Sequence, residues 1–114
     1  MIWKVDYTDD ALNDLQGIFD YISLNLLEPV TAANQTERIM DAADSLDNMP
    51  QRHRRYDREP WHSRGLRALP VDNYVIFYLP NKSKGTVYII RIMHGRRDTD
   101  KHLSETEYPI KKYS

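Results

Sequence analysis

Eight consecutive residues, Thr86 to Met93 (TVYIIRIM), hold six apolar or aromatic side chains and one charge. The run is rich in β-branched residues and too short for a buried helix, so it reads as a strand covered on both faces. Its continuation, His94-Gly95-Arg96-Arg97-Asp98, turns abruptly polar and basic. A buried strand therefore reaches the surface at a histidine and two arginines. Tyr74 to Leu79 (YVIFYL) is a second run of the same kind. Pro80 to Gly85 (PNKSKG) lies between the two and is made of turn formers, which predicts an antiparallel hairpin of central strands. Any fold of this chain has to cover that hairpin.

The remaining elements supply the cover. Residues 2–6 alternate Ile2 and Lys4 with Trp3 and Val5, as a short strand does. Thr8 suits a helix N-cap, with Asp9 and Asp10 in the first turn where carboxylates favour the helix dipole. Ala11, Leu12, Leu15, Ile18, Phe19, Ile22 and Leu26 recur at spacings of three and four, predicting a helix over about 9–26. Pro29 suits the first turn of a second helix. Ala32, Ala33, Thr36, Ile39, Met40, Ala43 and Leu46 form its stripe, and Met49-Pro50 ends it. The short break between the stripes predicts an antiparallel helical hairpin. Gly65 to Leu69 reads as another strand, joined to Tyr74–Leu79 through Asp72-Asn73. Residues 51–64 (QRHRRYDREPWHSR) show no period and read as a long basic loop, a kind of segment that is often functional or mobile. Thr99 to Ser104 suits a helical turn, and the tail 105–114 is polar and expected to be flexible or docked.

The predicted fold is α+β, in the order β-α-α-β-β-β, with the helical hairpin on one face of a small, mainly antiparallel sheet. The other face is expected to carry Tyr74, Tyr78 and Arg67 or Arg91, and to be partly open. At 114 residues the chain, 1–114, is one domain. Charge is unevenly placed. Residues 1–50 carry ten acidic side chains against Lys4 and Arg38, whereas residues 51–114 carry fourteen basic against seven acidic. Such a split suggests either two surfaces with different partners or two halves that complement each other within one fold. The chain has no cysteine, which removes disulfides, thiolate metal sites and a cysteine nucleophile. No run approaches a membrane span and MIWKVDY lacks signal-peptide character, so a cytoplasmic protein is expected. His53 and His62 are without a carboxylate cluster, so no metal or cofactor is expected.

Several residues in this order carry a resemblance. They are Ala11, Asp14-Leu15, Ile18 and Tyr21-Ile22; Leu46 and Met49-Pro50; Gly65-Leu66-Arg67; Pro70 to Tyr78; and Arg91 to Asp98. Together the chain resembles the RelE/ParE superfamily of toxins from type II toxin–antitoxin modules, over about residues 3–103, and is most similar to the ParE branch. The resemblance implies a plasmid-stabilisation-type toxin neutralised by a cognate, ParD-like antitoxin. It implies one of two targets. ParE-type members poison DNA gyrase without being known as catalysts; RelE-type members cut messenger RNA on the ribosome. RelE-type enzymes carry strand lysines and an arginine where this chain has Leu66, Ala68 and Val75. That departure favours the gyrase reading. A third reading is a non-toxic module that only binds its antitoxin.

Metal-free RNA cleavage would need a base, an acid and fixed cations on the phosphate. His94 could serve as base, Arg96 or Arg67 as the phosphate fork, and Tyr74 or His102 as acid. The alternative for His94 is a strand-end histidine bonded to backbone or to Asp98. For target binding the candidates are Arg96, Arg97, His94, Arg67, Arg64 and Trp61, although a tryptophan beside Pro60 equally suits a plug over the core edge. Gly95 is expected at positive φ in a bulge or turn, and Asp98 is expected to pair with one of the two preceding arginines.

Overall fold

Trp3 and Val5 point inward from a strand whose alternate residues are wet, and the segment forms β1 (Lys4–Tyr7). The computed structural model describes residues 2–95 and 99–104. β1 lies parallel to β4 (Thr86–His94), from Lys4 opposite Thr86 to Tyr7 opposite Ile89. The buried Thr8 then turns strand into helix. Its hydroxyl accepts from the Ala11 N–H at 3.1 Å, capping α1 (Asp9–Asp20), and donates to the Ile90 carbonyl at 3.0 Å. One side chain thus caps the helix, worth about 1 kcal/mol, and fastens it to the sheet.

α1 does not run unbroken to 26. Residues 21–25 widen into a π-type turn, closed by the Leu26 N–H on the Tyr21 carbonyl at 3.2 Å. The wider turn rotates the stripe, so Ile22 stays buried while Leu24, Leu26 and Leu27 face outward. Leu12 is also exposed. Pro29 opens α2 (Pro29–Asp44), which buries Ala32, Thr36, Ile39 and Ala43. Gln35 is buried too, because its Nε2 donates to Asp72 Oδ2 at 3.0 Å in the turn after β2 (Arg67–Val71). Arg38 Nε donates to the same oxygen at 2.9 Å. This pair of donors fixes α2 against the sheet and holds the Asp72 carboxyl below its usual range.

The four strands lie in the order β1-β4-β3-β2, with β3 (Tyr74–Asn81) between β4 and β2. The predicted meander is present, although β2 starts two residues later than the sequence suggests. Phe77 pairs with Arg91 but Tyr78 pairs with Ile89, which leaves Ile90 as an extra residue in β4. The bulge reverses the alternation. Val87 and Ile89 face the helices before it, and Ile92 does so after it.

The face under the helices gathers Leu15, Ile39, Leu46, Ile76, Tyr78 and Ile89 around Ala11 and Ala43. The opposite face is not open. Leu66, Phe77, Leu79, Ile90 and Met93 form a second cluster, sealed by Trp61 and Leu103. Tyr78 does not belong to it; it is fully buried on the helix side, where Tyr74 also packs. The sealing residues come from two short helices, α3 (Trp61–Arg64) and α4 (Thr99–Ser104).

The segment 51–64 is therefore not a structureless loop. Tyr78 Oη donates to the Pro50 carbonyl at 2.6 Å. Arg55 bridges to Arg67, and Tyr56 N–H donates to the Leu66 carbonyl at 2.8 Å, so residues 54–56 line the outer edge of β2. Gly65 ends α3 at φ 87°, the left-handed position that favours glycine. Gly95 needs no such conformation. Its N–H donates to the Asn73 carbonyl at 2.8 Å, and a Cβ there would stand 3.4 Å from that same oxygen. That is the edge of ordinary van der Waals contact, and the expected positive φ is not what places glycine here.

Candidate functional site

β1 stops at Tyr7, so the last part of β4 has no neighbouring strand on that side. α1 supplies a substitute. Asp14 Oδ2 accepts from the Ile92 N–H at 2.9 Å, as a strand carbonyl would. The same carboxylate takes a two-point bond from Arg91, with Nε at 2.7 Å and Nη2 at 2.9 Å. Both side chains are 15% exposed. Arg91 Nη1 also donates to the His102 carbonyl at 3.3 Å, which ties α4 to the same point.

This ion pair lines a cleft of about 560 Å³ between α1, β4 and α4, together with Ile18, Tyr21, Tyr74, Met93 and His94. Its size lies in the range of small-ligand and peptide side-chain sites. His94 and Tyr74 meet in it edge to face, with ring centroids 5.4 Å apart. Burial raises the Tyr74 pKa, with a smaller contribution from Tyr21. A raised pKa keeps the phenol protonated and makes it a poorer proton donor. His102 also lines the cleft.

The other candidates lie elsewhere. Arg67 pairs with Tyr78, four residues along β3 from Tyr74, which is roughly 13 Å at the rise of a strand. Its Nη1 donates to the carbonyls of His53 at 2.6 Å and Gln51 at 3.2 Å, so it pins the 51–53 backbone. Trp61 is 5% exposed and belongs to the second cluster. Arg64 is half-buried at the end of α3. Arg96, Arg97 and Asp98, with the expected lock between them, lie outside the described residues. The structure thus brings His94, Tyr74 and His102 together and separates them from Arg67.

Asp14 and Tyr21 were missed as cleft residues. A signal for Asp14 was present: it stands three residues after Ala11 and four before Ile18, on the apolar stripe rather than opposite it. A carboxylate on a buried stripe asks for a cationic partner, but nothing local points to an arginine 77 positions away.

His53 reports the field at the other end of the sheet. Its ring stands edge-on to Tyr78, 6.4 Å between centroids. Burial lowers its pKa from 6.5, helped by Arg52 and Arg67. The unfolded chain thus binds more protons than the fold between the lowered value and 6.5. Stability is at its full value above about pH 6.5 and declines as pH falls through the folded pKa. The urea midpoint of the native chain is expected to drop between about pH 7 and 5, and His53→Gln is expected to flatten that part of the profile.

A helical hairpin over one face of a four-stranded sheet, with the first strand parallel to the last, defines the fold class of the RelE/ParE toxins. A chromosomal ParDE system from P. aeruginosa contains a chain with this fold: TM-score 0.65, 23% identity, covering 82% of this chain and 96% of that one. A free-state double arginine-to-alanine mutant of E. coli toxin RelE shares it at TM-score 0.67 and 13% identity, covering 96% and 99%. So does a chain of the RelBE2 toxin–antitoxin complex from Mycobacterium tuberculosis, at TM-score 0.60 and 22% identity, covering 82% and 99%. The sequence carries the assignment further. Residues 5–99 match the ParE toxin of type II toxin–antitoxin systems, parDE, and the chain belongs to that family within the RelE/ParE superfamily. Toxin RelE2 of Caulobacter vibrioides is 38% identical over 95 residues, 82% of this chain and 97% of that protein. The protein is the toxin of a type II toxin–antitoxin system.

Proposed function

We propose that this toxin acts in the ParE manner, by binding DNA gyrase without turnover. The observation that carries the reading is the second cluster. RelE-type enzymes have cations at the positions of Leu66, Ala68 and Val75. Here Leu66 is fully buried, and Ala68 and Val75, paired with Phe77 and Met93, pack against the second cluster. A sheet face filled with apolar side chains has no room for guanidinium or ammonium groups around a phosphate, and burying them there unpaired would cost several kcal/mol each, on the order of the penalty for an isolated ion. The cleft keeps a histidine and a tyrosine, but Arg91 is committed to Asp14.

The antitoxin is expected to lie over the helical hairpin. Leu24, Leu26, Leu27 and Val30 are exposed at its tip, amid an acidic surface that includes Asp20, Glu28, Glu37 and Asp41. An amphipathic segment with basic flanks fits such a face. The gyrase reading carries with it a cytoplasmic protein, since gyrase is its target.

The deciding experiment adds the purified chain to gyrase and relaxed plasmid. Lost supercoiling or accumulated cleavage complex is the expected result. Full supercoiling at excess toxin sinks the reading. If new cuts then appear in a translated message and vanish with His94→Ala, the ribosome-dependent nuclease replaces it.

A further inference from the structure

Outside β2 runs an edge with an unusual charge. Residues 51–67 contain six arginines, no lysine, and two carboxylates, Asp57 and Glu59. Glu59 is occupied by Ser63, accepting from its backbone N–H at 2.7 Å and from its hydroxyl. Asp57 is exposed and makes no ion pair among the described residues. Arg52, Arg54, Arg55 and Arg67 have no carboxylate partner among the described residues either. Arg52 donates to the carbonyls of Asn48, Ser45 and Met49 at the end of α2, and to the Ser45 hydroxyl. Arg67 is held by Gln51 and His53, as described. These two guanidinium groups are fixed in place with their charge uncompensated. Arg55 lies directly opposite Arg67 in the bridge, an arrangement that repels. Its own contact is a long one, Nη1 to the His62 carbonyl at 3.5 Å. Arg54 makes no side-chain bond among the described residues and lines a shallow groove of about 370 Å³ with His53, Tyr56 and Pro70. The His53 pKa, lowered first by burial, is lowered further by the charges of Arg52 and Arg67.

We propose that this arginine edge binds the phosphodiester backbone of duplex DNA, with Arg54 and Arg55 making the contacts and Arg52 and Arg67 supplying fixed field behind them. An acidic protein is the rival occupant, and two observations disfavour it. Protein interfaces are built around an apolar centre. Among the described residues the exposed large hydrophobics are all at or before Met49, and residues 51–67 present none. The tyrosine and tryptophan of the edge, Tyr56 and Trp61, are packed into the second cluster and offer no stacking platform for bases. A backbone-only reader needs guanidinium forks and no stacking platform. The choice of DNA over RNA rests on the gyrase reading; the surface itself does not.

The test uses the full chain and a labelled duplex of about 30 base pairs, without gyrase, by fluorescence anisotropy. Two or three phosphate contacts predict weak binding whose log–log salt slope is about −2 to −3. Arg54→Glu with Arg55→Glu is expected to weaken binding at least tenfold at about 50 mM salt and to reduce the slope by about 2. Lys82→Glu, in the β3–β4 turn, is expected to change little. Arg54→Gln with Arg55→Gln, checked by circular dichroism, is expected to show the same direction in a folded protein. The proposal is overturned by absence of binding at about 50 mM salt, by an equal loss in Lys82→Glu, or by binding that ignores both arginine pairs. Competition by polyglutamate as strong as by DNA overturns it in favour of an acidic protein. Preference for an RNA duplex overturns the DNA assignment. Because gyrase is absent, duplex binding retained alongside failed gyrase inhibition would remove the gyrase reading alone.

Discussion

Asp14→Ala is expected to destabilise the fold by about 3–5 kcal/mol, the cost of breaking a largely buried ion pair from one side. Three groups lose their acceptor together: Arg91 Nε, Arg91 Nη2 and the Ile92 N–H. The arginine cannot easily reach water, because the pair is 15% exposed on each side and Arg91 is also tied to α4. A domain of this size has about 5–15 kcal/mol in total, so the variant should be marginal at 37 °C. Urea denaturation reads the effect as a lower midpoint at unchanged slope. Asp14→Asn should lose less, since an amide oxygen can still accept from Ile92. Replacing both partners, Asp14→Leu with Arg91→Met, should recover part of the loss, because neither charge is left buried. A loss below about 1 kcal/mol in Asp14→Ala would show that the carboxylate does not hold this edge.

Trp61→Ala is expected to cost about 3–5 kcal/mol through the cavity it leaves over the second cluster. Trp61 packs edge-on to Tyr56 at 6.0 Å, and Tyr56 stands edge-on to Phe77 at 5.5 Å. Removing the indole therefore loosens both the seal and the edge segment 54–56. Trp61→Phe should cost under about 1.5 kcal/mol. The indole Nε1–H has no hydrogen-bond partner among the described residues, so the ring's volume matters and its polar atom does not. Dye binding to exposed apolar surface should rise in the alanine variant and stay flat in the phenylalanine one. Equal behaviour of the two variants would mean that the ring is not a seal.

Much of the fold is legible along the chain. The runs 74–79 and 86–93, the Thr8 cap and the Pro29 start each depend on neighbours within a few residues. Local spacing was enough to place them. The site was legible only in its ingredients. His94 and Tyr74 were named, but their contact depends on a register that a bulge at Ile90 sets, and no single residue announces a bulge. Arg67 was grouped with them by residue type, and the strand length puts it at the far end. Trp61 suits either a binding platform or a plug over the core edge, and α3 turns it inward as the plug. The basic segment 51–64 has no period because it is fixed by long-range bonds to β2 and β3 rather than by its own pattern.

The sequence by itself determined the elements, their order, the family and the separation of charge between the halves, because these are properties of composition and short-range spacing. Tertiary structure decided which charges are neutralised. Asp14 and Arg91 are 77 residues apart and cancel each other. Arg54 and Arg55 lie in a segment with two carboxylates, and neither arginine is paired with them. Whether an arginine is a structural clamp or an exposed charge depends on what reaches it through space, since electrostatic interaction follows distance and burial, not position in the chain.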